Sequence, residues 1–148
     1  MTALPPEASP GFLLWRATLR WQREITAALK PYDLTHVQFV LLVAVWWLGE
    51  HGDERPSQAQ VAAHAEADVM MTSSVLRVLE QRGLVTRSPD PADGRVKRLE
   101  VTATGRHLAL ETVAVVEAAD AAFFARADDQ QLVVAVLTQL ARGAAAES

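Results

Sequence analysis

The amino-acid sequence predicts a mainly α fold with a small β-hairpin wing, in which a winged helix-turn-helix is flanked by further helices. Three observations carry this. Apolar residues recur at helical spacing through most of the 148 residues. Two helical segments meet across a turn of about three residues near Ala65 and Asp68. Between Leu84 and Val101 the period switches from helical to alternating around a cluster of turn formers. The length suits one compact domain over residues 1–148. With 50% hydrophobic and 22% charged residues, the chain has enough apolar mass for a core and too little net charge for disorder.

Each element has a local cause. After a Pro-rich start from Leu4 to Pro10, Phe12–Leu29 carries helical spacing and stops before Pro31, which cannot continue a helix. Thr35 followed three residues later by Gln38 forms a capping box that opens a second helix, with stops at Gly49 and Gly52. Ser57 and Gln60 repeat the box for a short Ala-rich helix ending near Ala65. Asp68 caps the next helix, which runs through Arg82 to the terminating Gly83. Leu84–Arg87 and Val96–Val101 read as strands, with Leu99 and Val101 on one face and Arg98 and Glu100 on the other. The Asp93-Gly94 pair between them suits a tight turn with positive backbone torsions. Thr102 caps a long helix reaching about Arg126, Asp128 with Gln131 opens a last one ending near Arg142, and Gly143–Ser148 reads as a frayed tail.

Several function classes are excluded. The longest apolar run, Phe39–Leu48, falls well short of the roughly 20 residues of a membrane-spanning helix. No basic region followed by an apolar stretch and cleavage site opens the chain, so the expected location is the cytoplasm, with no membrane partner. Without cysteine there is no disulfide, thiolate metal site or thiol switch. The histidines at 36, 51, 64 and 107 lack metal-ligand spacing, and neither a Gly-rich phosphate loop nor a nucleophile elbow is present. The expectation is therefore a protein that is not an enzyme and carries no cofactor or metal.

The helix from Asp68 to Arg82 points to DNA. At 100° per residue, Met71, Val75, Val78 and Leu79 fall on one side and Met70, Ser73, Ser74 and Arg77 on the other. Small hydrogen-bonding side chains near the N-terminus, followed by a guanidinium, suit a helix entering the major groove. The formal net charge of −4 is an average over unlike parts. From Arg77 to Arg106 seven basic residues face four acidic ones, a local +3, and the remainder carries −7. Because phosphate attraction is screened over about 8 Å, a local patch can bind DNA although the whole chain is acidic. Arg95, directly after the hairpin turn, is placed to enter the minor groove, and Asp93 to orient it.

These residues resemble the MarR-type winged helix-turn-helix transcriptional regulators, the multiple antibiotic resistance regulator family. The matching run is Met71-Thr-Ser-Ser-Val-Leu-Arg-Val-Leu-Glu-Gln-Arg-Gly-Leu-Val85, then Arg87, Asp90-Pro-Ala-Asp-Gly-Arg95, Leu99, Thr102 and Gly105. The resemblance implies helices at 11–30 and 102–142 that form a homodimer body, with the winged helix-turn-helix at 35–101. Trp15, Trp21, Val113, Val116, Phe123, Phe124, Leu132, Val136 and Leu140 independently give those helices more apolar surface than one chain hides. The implied function is sequence-specific regulation, as a repressor, on pseudo-palindromic double-stranded DNA, with recognition helices roughly 34 Å apart. The DNA-binding residues are then Met70, Thr72, Ser73, Ser74, Arg77, Arg87, Asp93, Arg95, Lys97 and Arg98. Many members carry Ser-Thr-Val-Thr-Arg where this chain has Met-Met-Thr-Ser-Ser, so base preference does not transfer.

The resemblance further implies release of DNA by a small, frequently aromatic and anionic effector at the junction of body and DNA-binding lobe. Candidate lining residues are Trp15, His36, Phe39, Val40, Trp46 and Met70, an apolar wall with one titratable group. The alternative function is a winged-helix module for protein–protein contact without its own operator. The clustered arginines of 77–106 favour DNA.

Overall fold

The structure, a computed structural model, describes residues 3–142. The expected frayed tail at Gly143–Ser148 lies outside the described residues. The elements in chain order are α1 (Pro10–Leu29), α2 (His36–His51), α3 (Gln58–Ala65), α4 (Val69–Gln81), β1 (Val85–Pro89), β2 (Lys97–Val101), α5 (Ala103–Phe124) and α6 (Gln130–Ala141), with 3-10 turns at Pro6–Ala8 and Lys30–Tyr32.

Local chemistry sets most of these boundaries. Both capping boxes close: Thr35 with Gln38 at α2, and Ser57 with Gln60 at α3. The Asp68 carboxylate accepts the Met71 N–H at 2.8 Å to open α4. At its far end the Leu84 N–H reaches the Leu79 carbonyl and the Gly83 N–H reaches that of Glu80, a Schellman closure that puts Gly83 at φ +72°. Several termini differ from expectation by one or two residues, β1 for instance running Val85–Pro89 rather than Leu84–Arg87. α1 starts at Pro10, where Ser9 caps it by accepting the Phe12 N–H, and Asp129 rather than Asp128 caps α6 by accepting the Leu132 N–H.

The core gathers around α2, whose Leu41, Leu42 and Val45 meet Ile25 and Leu29 of α1, Val61 of α3, Leu76 and Leu79 of α4, Leu99 of β2 and Ala109 of α5. β1 and β2 pair antiparallel, with Val85 opposite Val101 and Pro89 opposite Lys97. Ser57 adds an isolated bridge to Arg98 on the other edge of β2. Leu99 is buried, while Val101 on the same face is half-buried.

The wing's turn is not the two-residue type expected from Asp93-Gly94, because Gly94 does not adopt positive φ. The loop spans 90–96 and is organised by Asp90. Its carboxylate accepts the Ala92 and Asp93 N–H groups at 2.7 and 3.0 Å, and its own N–H donates to the Val96 carbonyl. A side chain that accepts these hydrogen bonds does the work that a glycine does in a shorter turn.

The exit from β2 is fixed by close approach. Thr102 donates its hydroxyl to the Gly83 carbonyl at 2.7 Å and accepts the Gly105 N–H at 3.0 Å. At Gly105 a Cβ would overlap the Leu84 carbonyl, so α5 starts against β1 only because residue 105 has no side chain.

Candidate nucleic-acid interface

α4 presents its outer face as the first half of the site. The buried residues are Thr72, Leu76 and Leu79, so the core side is turned by about one residue step from the Met71, Val75, Val78 and Leu79 face expected from hydrophobicity. Met71 and Val78 are each 38% exposed and edge flanking grooves instead of the core. The sequence misplaces the face because a threonine takes a core position and two apolar residues take the shoulders.

This corrects one DNA-binding assignment. Thr72 is fully buried, its hydroxyl has no hydrogen-bond partner, and it cannot reach a groove. The opposite stripe runs Met70, Ser74, Arg77 and Gln81, all exposed, with Ser73 half-buried at its edge. Gln81 escaped the sequence reading, although its spacing of four from Arg77 puts it on the same face.

The wing supplies the second half. The Arg95 side chain is 95% exposed. Asp93 accepts the Arg95 backbone N–H at 3.1 Å, and its carboxylate lies 3.5 Å from Nε. Lys97 is exposed at the start of β2.

The remaining basic residues of the patch are held by the protein. Arg87, 16% exposed, donates to Gln58 at 2.9 Å and pairs with Glu80 at 3.7 Å, tying β1 to α3 and α4. Arg98, 18% exposed, donates from Nε to Asp90 at 2.7 Å, pairs with Glu54 at 3.4 Å and reaches the Arg55 carbonyl. That contact, with the Ala92 and Asp93 N–H groups, holds the Asp90 carboxyl below its ordinary range. Arg87 and Arg98 thus brace the wing, their guanidinium groups held by these partners rather than free in solvent. Arg82 donates to the Asp33 carbonyl at 2.7 Å, and Arg106 to Glu50 at 2.9 Å. Of the other cations of the patch, Arg77 and Lys97 make no ion pair among the described residues and Arg95 pairs only with Asp93.

The six expected effector-lining residues do not converge. Phe39 is core, Trp15 is 63% exposed on α1, Trp46 packs half-buried on the core, and Met70 stands on the outer face of α4. Within the single chain none of these four lines the concavities around His36. His36 and Val40 do share a concavity of about 330 Å³, closed by Gln22, Glu66, Ala67 and Met71 at the turn before α4. His36 also edges a second concavity of about 650 Å³, with Thr26, Lys30, Asp33, Val78 and Arg82. Burial pushes the His36 imidazole below its ordinary value, against the opposing pull of Asp120. Asp120 in turn accepts the Trp21 indole N–H at 2.7 Å, and the Trp21 ring meets His36 edge-on at 5.0 Å. His36 thus sits between Trp21 of α1 and the concavity beside the turn that enters α4. Among the described residues no His, Cys, Asp or Glu group has metal-holding geometry, and no single helix is long and apolar enough to cross a membrane.

Comparison with known proteins follows the same lines. The family model described as MarR family matches residues 34–97. The uncharacterized HTH-type transcriptional regulator YdcH of Bacillus subtilis (strain 168) is 42% identical over 135 residues, 91% of each chain. The structure of the Mycobacterium tuberculosis MarR family protein Rv2887 in complex with DNA is similar with a TM-score of 0.71 at 34% identity, covering 91% of this chain and 99% of that one. CouR from Rhodococcus jostii RHA1, bound to p-coumaroyl-CoA, reaches a TM-score of 0.80 at 29% identity, with 93% of each chain covered.

Proposed function

The chain belongs to the MarR family of transcriptional regulators, and from that premise we propose that it is a cytoplasmic homodimeric repressor that binds a pseudo-palindromic operator and leaves it when a small aromatic anion binds. The observation that carries the DNA reading is the selective freedom of Arg77, Arg95 and Lys97. Arg82, Arg87, Arg98 and Arg106 are held by carboxylates or carbonyls elsewhere in the fold, while Arg77 and Lys97 have no ion pair among the described residues and Arg95, 95% exposed, pairs only with its neighbour Asp93. A protein–protein module needs no such division of cations.

Ser73, Ser74 and Arg77 read base edges, Arg95 enters the minor groove under the guidance of Asp93, and Lys97 meets phosphate. The effector sits in the concavity of His36, Val40 and Met71. That location is supported by its position against the turn before α4, and the class of ligand by p-coumaroyl-CoA in the CouR structure. A neutral, half-buried imidazole that gains a proton beside a bound carboxylate or phenolate gives the site its preference for anions.

The test is a gel shift on the intergenic DNA upstream of the protein's own gene and on sites selected from random duplexes, repeated with phenolic acids. Salt-sensitive binding is expected, with the slope of log K against log salt falling by about two in Arg95→Ala, one for each protomer's wing. No shift on either DNA overturns the repressor reading. A shift that no phenolic acid or its thioester relieves overturns only the effector.

A further inference from the structure

Met70 is the most exposed large apolar side chain among the described residues, 82% accessible, and it stands in the first turn of α4 on the same stripe as Ser74 and Arg77. The fold gains nothing from it there. It lines neither concavity beside His36, which take Met71 and Val78 instead, nor the apolar hollow between α1, α5 and α6. A solvated helix face ordinarily carries long polar side chains at such a position. Here an unbranched thioether, with Val69 beside it 65% exposed, sits one turn before a hydroxyl and two turns before an unpaired guanidinium.

The first turn of a recognition helix is the part brought nearest to the base edges. Hydrogen bonds and charge come from Ser74 and Arg77, whereas Met70 offers only apolar surface. The floor of the major groove carries one apolar feature, the C5-methyl of thymine, which distinguishes A·T from T·A and from both G·C orientations. Three rotatable bonds let a methionine settle on that methyl without a change in the helix axis.

We propose that Met70 is a specificity-determining residue that packs on the C5-methyl of a thymine in each half-site. The operator therefore holds thymine at one symmetry-related position, two helical turns along α4 from the group met by Arg77. This inference rests on the DNA-binding reading above and adds the base that the reading leaves open.

The test uses the full chain and a site selected from random duplexes. Each thymine is replaced in turn by deoxyuridine, which removes only the methyl group, and Kd is measured by fluorescence anisotropy for the wild type, Met70→Ala and Met70→Leu. The wild type should lose about fourfold at one thymine in each half-site, the factor that one buried methyl supplies. Met70→Ala should bind the thymine site more weakly and no longer distinguish deoxyuridine at that position, while Met70→Leu keeps the distinction. A site with no sensitive thymine, or a sensitivity that persists in Met70→Ala, overturns the inference and leaves DNA binding intact. A selection that recovers no site removes the DNA-binding reading and the inference with it.

Discussion

Thr72 points its hydroxyl into the core of the winged helix with no partner, where an unsatisfied polar group costs roughly 1–3 kcal/mol. Valine has nearly the same shape and no such group, so Thr72→Val should stabilise the chain by about 1 kcal/mol. Urea denaturation reads the gain as a raised midpoint with an unchanged slope, and DNA affinity should stay as it was. A loss of affinity would return Thr72 to the interface. A second residue gives a pH signature. Burial disfavours the charged His36 in the folded chain, so the unfolded chain binds that proton more readily. Its contribution is therefore fully present above about pH 6.5, the ordinary imidazole value, and is lost as the pH falls from there toward the folded value. His36→Gln should flatten that acidic limb of the Tm profile, and an unaltered limb would show that the imidazole is not desolvated in solution. At this scale the sequence shows which side chains carry chemistry but not which are free to use it. Nothing local in the sequence tells that Arg98 is spent on Asp90 and Glu54 while Lys97 beside it is exposed.

Elements were legible wherever their cause is local. The two capping boxes, the Asp68 cap and the Gly83 stop each lie within a few residues of the backbone groups they satisfy. The wing's turn was not, because the choice between a glycine turn and a carboxylate-organised loop depends on Arg98, eight residues away, holding Asp90 in place. The phase of α4 was also hidden, since which face turns inward is decided by α2 and α3 rather than by the apolarity of α4 itself. The junction of β1 and α5 makes a testable case. Gly105→Ala forces a methyl into the Leu84 carbonyl, and because backbone cannot yield as a side chain can, the cost should be about 3 kcal/mol or more. Thermal unfolding should show a drop of many degrees, with DNA binding lost in parallel because the wing hangs from that junction. A near-native Tm would mean that α5 can slide outward, contrary to the Thr102 contacts at both Gly83 and Gly105.

At the scale of the whole molecule, a large apolar surface is left uncovered among the described residues. α6 has no buried residue, although Leu132, Val134, Val136, Leu137 and Leu140 are between 42% and 68% exposed. Phe12, Leu13, Leu14 and Trp15 stand open on the first turns of α1. Leu137 closes an apolar hollow of about 250 Å³ with Leu14, Ala17, Trp21, Phe123 and Phe124. A monomer rarely leaves so continuous a patch in water, and a two-fold axis covers the same patch on both copies at once. The acidic balance outside the 77–106 segment does not oppose this, because α6 carries no charged residue from Gln130 to Ala141. Leu137→Asp should therefore reduce the sedimenting mass from about twice 16.1 kDa to 16.1 kDa. It should also remove the rise of Tm with protein concentration that a dimer shows. Two recognition helices no longer linked lose the benefit of simultaneous engagement, so affinity for a two-half-site operator should fall about 100-fold or more, while affinity for a single half-site changes little. Wild-type protein that sediments at 16.1 kDa, or a Leu137→Asp variant that keeps both its mass and its operator affinity, would place the dimer contact elsewhere and leave this apolar face without an explanation.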